Sequence, residues 1–160
     1  MDVETEKQRW DRNFGDLLQE LRVAQTGVQI LFAFLLILPF SAEFPNVTPF
    51  QRDAYIVALL SAAGAAALII SPVAFHRAIF RQGRKPELVA FAHRVATGGL
   101  AFLLVAMVAS VLLITDFLLS RAAAFVLSGL TALWFLTFWA FLPFLRRNWG
   151  EDLPPGNTQG

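Results

Sequence analysis

The sequence predicts an all-α integral membrane protein: a four-helix bundle of two helical hairpins, led in by an N-terminal amphipathic interfacial helix. Three observations predict it. First, of 160 residues 56% are hydrophobic and only 16% charged, where a soluble domain carries about a quarter charged. Second, the deficit is concentrated. Residues 23–42, 54–75, 95–115 and 122–145 hold no charged side chain, and each is long enough to cross a ~30 Å hydrocarbon layer, which takes about 20 apolar residues. These runs are apolar on every face rather than alternating, which selects helices over barrel strands. Third, the basic residues sort by segment. Lys7, Arg9, Arg12 and Arg22 precede the first run; Arg77, Arg81, Arg84, Lys85 and Arg94 separate the second from the third; Arg146 and Arg147 follow the fourth. Only Arg52 and Arg121 remain for the other two connections. Short connections rich in Lys and Arg stay cytoplasmic, so both termini and the connection 77–94 are expected inside, in the cell membrane.

The elements follow in order. Residues 1–22 form a cytoplasmic N-terminal segment, in which Trp10, Phe14, Leu17, Leu18 and Leu21 share one helical face and Arg9, Arg12, Asp16 and Gln19 lie opposite. Such a helix either lies in the headgroup plane before the chain turns into the bilayer or packs on the inner loop or a partner. The apolar run begins only after this polar, partly acidic segment, so a cleaved signal peptide is not indicated and the first span is expected to be retained. The four-span domain covers residues 23–147, with spans at about 23–42, 52–75, 94–116 and 121–145. The first span ends near Pro39. In Thr48-Pro49-Phe50-Gln51 a threonine cap, a proline suited to the first helical position and a glutamine three residues on make a capping box that opens the second. Asn46-Val47-Thr48 also matches a glycosylation sequon, for which the capping role is the better reading. The second span is expected to run past Pro72 with a kink, Pro86-Glu87 starts the third, and a tight connection around 116–121 leads to the fourth. Residues 148–160, rich in Pro, Gly and Asn, read as a disordered cytoplasmic tail.

Arg22-Val23-Ala24-Gln25-Thr26-Gly27 is echoed by Arg94-Val95-Ala96-Thr97-Gly98-Gly99, and Pro72 with Arg77 by Pro143 with Arg146 and Arg147. Two hairpins inserted the same way up would produce this parallel repeat. Chance similarity among apolar helices would produce it too.

Few residues are candidates for chemistry. Arg22, Gln25, Thr26 and Gln29 fall at i, i+3, i+4 and i+7, one helical face entering the membrane. Lipid would leave these amides unsatisfied, so the stripe should meet protein, as packing glue, or water, as a vestibule. Small residues Ala58, Ser61, Ala62, Gly64, Ala65 and Ala66 allow close approach within the bundle or in a homodimer. Arg77, Arg81, Arg84 and Lys85 would attract anionic phospholipid headgroups, although setting the topology already accounts for their charge. Nucleic acid is a poor partner for so short a juxtamembrane loop. His76 and His93 lie at the inner interface without an acid cluster, so no metal is expected. With no cysteine, disulfides and thiolate chemistry are excluded. No catalytic grouping, phosphate loop or carboxylate pair is present, so no cofactor and no enzymatic activity are expected. Asp, Glu, Lys, Arg and His are all absent from the central half of every span, which disfavours proton or sodium exchange by a lone copy.

The stretch Glu20-Leu-Arg-Val-Ala-Gln-Thr-Gly-Val-Gln-Ile-Leu-Phe-Ala-Phe-Leu-Leu, with Pro39-Phe40, Gln51-Arg52, His76-Arg77 and Phe80-Arg81, resembles a family of small four-helix actinobacterial membrane proteins, a domain of unknown function. The resemblance covers residues 11–118 and is most specific in the first span. It implies the same topology. Some family members are labelled sodium:proton antiporters, but the resemblance lends no established activity. Two functions are expected to compete: a non-enzymatic scaffold or accessory component with a lipid, homo-oligomeric or unidentified membrane partner, and a channel or secondary transporter subunit that forms a path only as an oligomer.

Overall fold

The computed structural model describes residues 6–79 and 85–141, with side chains at 21–72 and 94–141 and at Arg12, Gly15 and Gln19. Among these residues there is no strand. Helix α1 spans Glu6–Ile37, α2 Pro49–Ile79, α3 Lys85–Leu118 and α4 Arg121–Leu136, the last continuing as a π-helical turn, Thr137–Phe141. Short 3-10 turns at Leu38–Phe40 and Phe44–Asn46 connect α1 to α2. The stretches Leu21–Phe40, Pro49–Pro72, Arg94–Leu118 and Arg121–Phe141 are long and apolar enough to cross a membrane.

Each boundary has a local cause. Pro39 lacks the N–H that would continue α1. The expected capping box opens α2: the Thr48 N–H donates to Gln51 Oε1 at 2.9 Å and the Gln51 N–H to Thr48 Oγ1 at 3.3 Å. Ser120 caps α4, its hydroxyl accepting from the Ala123 N–H at 3.3 Å, and only Leu119 and Ser120 separate α3 from α4.

In one respect the N-terminal region departs from expectation. Residues 6–37 form one unbroken helix of 32 residues, about 48 Å long at 1.5 Å per residue, so there is no separate interfacial helix with a turn at residue 22. The reason is in the register. Leu21, Val28 and Leu35, seven residues apart, are all buried, and one heptad earlier the sequence has Phe14. The heptad that sets the buried line of α1 at Leu21, Val28 and Leu35 thus runs on into the N-terminal segment in the sequence without a break. The side chains of Trp10, Phe14, Leu17 and Leu18 lie outside the described residues.

The centre of the fold is the pair α2/α3. Here α1 packs mainly against α2, and α4 packs its backbone against α3 alone. The most extensive pairing therefore joins the second helix to the third rather than closing either expected hairpin. Two apolar clusters fill it. Leu35, Ala54, Tyr55, Ala58, Ala62, Ala106, Ala109 and Leu113 form one, and Leu21, Val28, Ala65, Ile69, Ala96 and Leu103 the other. The small residues of α2 are consumed in this packing, so the face suggested for a homodimer is occupied within one chain. The approach is tightest at Gly99, where a Cβ would lie 2.7 Å from Ile69 Cγ1, and at Gly64, where it would lie 3.0 Å from the Phe102 ring.

Gly27, the counterpart of Gly99 in the sequence echo, has nothing within 4 Å of a Cβ. The two echoed segments thus sit in different environments, one exposed on α1 and one against α2. Gly99→Ala is expected to destabilise the protein by about 1–3 kcal/mol through overpacking against Ile69. Gly27→Ala should be neutral or stabilising, since alanine favours a helix by about 1 kcal/mol over glycine. Thermal unfolding in mild detergent distinguishes the two.

Candidate functional site

Polar side chains in the apolar stretches mostly satisfy themselves. The hydroxyls of Ser110, Thr115, Thr131 and Thr137 donate to carbonyls one turn back at 2.6–2.8 Å, the local bond that Ser and Thr make inside helices. Two hydroxyls do more. A proline at position i leaves the carbonyl of i−4 without its donor. Pro72 does this to Leu68, and the neighbouring Ser71 Oγ donates to the Leu68 carbonyl at 2.8 Å. Pro39 does it to Leu35, and the Tyr55 hydroxyl, reaching across from α2, donates to the Leu35 carbonyl at 3.1 Å. Phe44 stands edge-on to the Tyr55 ring with centroids 5.1 Å apart, which holds the phenol in place. Among the buried side-chain polar atoms of the described residues, only Ser128 Oγ on α4 has no partner.

The densest polar cluster lies at the end of the molecule where α2 and α4 begin and α3 finishes. Asp116, in the last turn of α3, is the one buried carboxylate among the described residues, with its side chain 4% exposed. Gln51 Nε2 donates to Asp116 Oδ2 at 2.9 Å, and Arg121 Nε donates to Asp116 Oδ1 at 3.2 Å. The guanidinium carbon of Arg121 sits 4.3 Å from the centroid of the Phe50 ring, close enough for a cation–π contact, and Phe50 in turn meets Phe125 at 5.8 Å. Arg121 is 54% exposed, so its pairing is screened by solvent and adds little by itself. For the carboxylate it is different, because a buried charge without partners is strongly destabilising.

Gln51 joins the cluster together, and its chemistry explains the residue type. Its amide oxygen is used by the Thr48 N–H and its amide nitrogen by Asp116. A carboxylate could do the first task but would repel Asp116 in the second. One side chain therefore caps α2 and ties it to the end of α3, while Arg121 ties the start of α4 to the same carboxylate. Beside the cluster, Leu38, Phe44, Val47, Leu113, Ile114 and Phe117 line a shallow apolar cleft with Glu43 at its edge.

Of the stripe expected to be sheltered, Gln25 is half-buried, whereas Arg22, Thr26 and Gln29 are exposed on the outside of the helices. Thr26 Oγ1 donates to the Arg22 carbonyl at 3.0 Å. Arg22, Thr26 and Gln29 lie about a quarter-turn or more around α1 from the buried line Leu21, Val28 and Leu35, with Gln25 nearer to it. Arg77 falls near the end of α2 and Lys85 at the start of α3, at the end of the molecule opposite Asp116. Their side chains, and Arg81 and Arg84 altogether, lie outside the described residues. Among the described residues no group of His, Cys, Asp and Glu is arranged to hold a metal ion. The Gln51–Asp116 bond escaped the sequence reading because it joins positions 65 residues apart. The only local sign was an acid and a base bracketing a two-residue connection.

Gln51→Glu is expected to lower stability by about 1–3 kcal/mol at neutral pH, the range for a buried polar group that loses its partner. Tyr55→Phe should cost about 1 kcal/mol through the orphaned Leu35 carbonyl. Detergent-solubilised thermal melts of the two variants beside the wild type check both.

Neither the comparison with curated proteins nor that with solved structures finds a match. A family model described as a family of unknown function, DUF6328, matches residues 3–143. The match reaches beyond the 11–118 over which the resemblance was drawn and takes in all four apolar helices. The chain thus belongs to a family of unknown function, DUF6328.

Proposed function

We propose that this chain is a multi-pass protein of the cell membrane, with both termini and the connection 77–94 in the cytoplasm, and that it serves there as a non-enzymatic scaffold or accessory component. The observation that carries the reading is the closed interior. Along α2 and α3 the buried mid-span positions are Ala58, Ala62, Ala65, Ile69 and Ala106, with Ser61 the one hydroxyl among them, and the buried carboxylate sits at one end, engaged by Gln51 and Arg121. A proton- or ion-coupled carrier places an ionisable group at depth, where it binds and releases its ion. Large apolar side chains such as Phe34, Leu60, Phe102, Leu130 and Trp134 are exposed around the outside, which suits a lipid-facing surface. The skew of Lys and Arg towards the two termini and the connection 77–94 supports the orientation. Arg77, Arg81, Arg84 and Lys85 would then face anionic headgroups, each contributing ~1 kcal/mol near the surface.

One observation favours a second reading, an oligomeric channel or secondary transporter subunit, the activity with which such families are sometimes labelled. Thr26 and Gln29 are exposed in an apolar stretch, and several copies could turn them towards a shared path.

The chain contains no cysteine, so single cysteines report its orientation. Glu43→Cys should react with a membrane-impermeant maleimide in intact cells and Arg84→Cys only after permeabilisation. The reverse pattern refutes the orientation. Purified protein in liposomes with a proton or sodium reporter should be silent; flux that disappears in Gln25→Leu/Gln29→Leu would establish the second reading instead.

A further inference from the structure

We propose that α1 is the contact by which two copies of this chain pair side by side, through a polar seam at Gln19, Arg22, Thr26, Gln29, Ala33 and Leu36. The inference rests on the membrane reading above. All six are exposed, and they are spaced 3, 4, 3, 4 and 3 residues apart, the repeat that keeps one stripe of a helix facing a parallel neighbour. The line Leu21, Val28 and Leu35 is already used within the chain. Thus α1 carries two seams, one filled by its own chain and one open.

Gln29 decides what fills the open one. It stands near the middle of the apolar stretch Leu21–Phe40, exposed, and makes no hydrogen bond among the described residues. Hydroxyls at such depth bond back to their own helix, as Thr26 does. A glutamine amide carries two donors and an acceptor and has no such local solution, and hydrocarbon supplies none. Gln25, one turn earlier, is half-buried and lies off the seam, and Gln51 uses both of its halves.

A second copy fits the vacancy by symmetry. Two chains inserted alike present parallel α1 helices at the same depth, and a two-fold axis between them places each Gln29 against its counterpart. Each amide then donates to the other's oxygen, a closed reciprocal pair. A polar residue at a single seam position is also what fixes register and copy number in paired helices. Thr26 and Ala33, one turn to either side, are small enough for close approach, and Arg22 remains at the end of the span, where its charge reaches water.

The test uses the full chain in native membranes, with single cysteines at Thr26→Cys, Ala33→Cys, Ile30→Cys and Phe34→Cys, all at exposed positions, and mild oxidation. The membranes are first washed with alkaline carbonate. A chain that washes off overturns the bilayer reading, and the seam with it. For a chain that stays, Thr26→Cys and Ala33→Cys should form disulfide-linked dimers several-fold more than Ile30→Cys and Phe34→Cys. Adding Gln29→Leu should weaken the dimer by about three- to tenfold, the effect of removing one or two interhelical hydrogen bonds in lipid, while leaving the thermal midpoint of the chain unchanged. Equal cross-linking at all four sites, cross-linking that favours Ile30 and Phe34, or capture of a different protein at Ala33 overturns the seam alone.

Discussion

Every backbone carbonyl that a proline orphans inside an apolar stretch must find another donor, and the way this chain meets that demand organises much of its structure. In water an unpaired carbonyl is solvated; in hydrocarbon it has nothing. Pro72 is answered locally, by the hydroxyl of the preceding serine. Pro39 is answered at a distance, by Tyr55, and that choice has architectural weight. It pins the end of α1 to the flank of α2, sets the short turns between them, and brings Phe44 onto the phenol ring. Ending a helix and joining two helices are here one act.

The same economy holds at Asp116. A carboxylate at the end of α3 is tolerable because α2 and α4 each begin beside it with a donor in hand. The cluster fixes three helix ends relative to one another, and below it the α2/α3 pair closes mostly on alanine and glycine, with Ser61 a lone buried serine on α2. Tight packing at Gly99 and Gly64 then leaves α2 and α3 little room to slide. The buried carboxylate and its partners are therefore gathered at one end, and the rest of the α2/α3 interface is left largely to shape.

Much of this was legible from the residues. Long uncharged runs revealed the four apolar helices, because their signal is compositional and needs no knowledge of contacts. The box at Thr48 and Gln51 was legible because both of its partners lie within one turn. What depends on contact between helices was not. Gln51 was read as a cap and no more, since its second bond reaches across 65 residues. The N-terminal segment was read as a separate element because its charged face resembles that of a surface helix, although its apolar heptad continues into the span without a break. The stripe through Gln29 was recognised as polar and helical, but periodicity alone cannot tell which way a face turns once packed. The small residues of α2 show the same limit: pattern gave a face suited to close approach, and only the fold identified its neighbour.

The unbroken course of α1 has a mechanical consequence. A helix about 48 Å long, unbroken and without proline over Glu6–Ile37, behaves as a stiff rod roughly half as long again as a ~30 Å hydrocarbon layer. Its first half therefore works as a lever. Any protein that grips residues 6–20 also holds the tilt of the span beyond them, and through the Leu35 carbonyl the force arrives at Tyr55, on a different helix, without a flexible joint to absorb it.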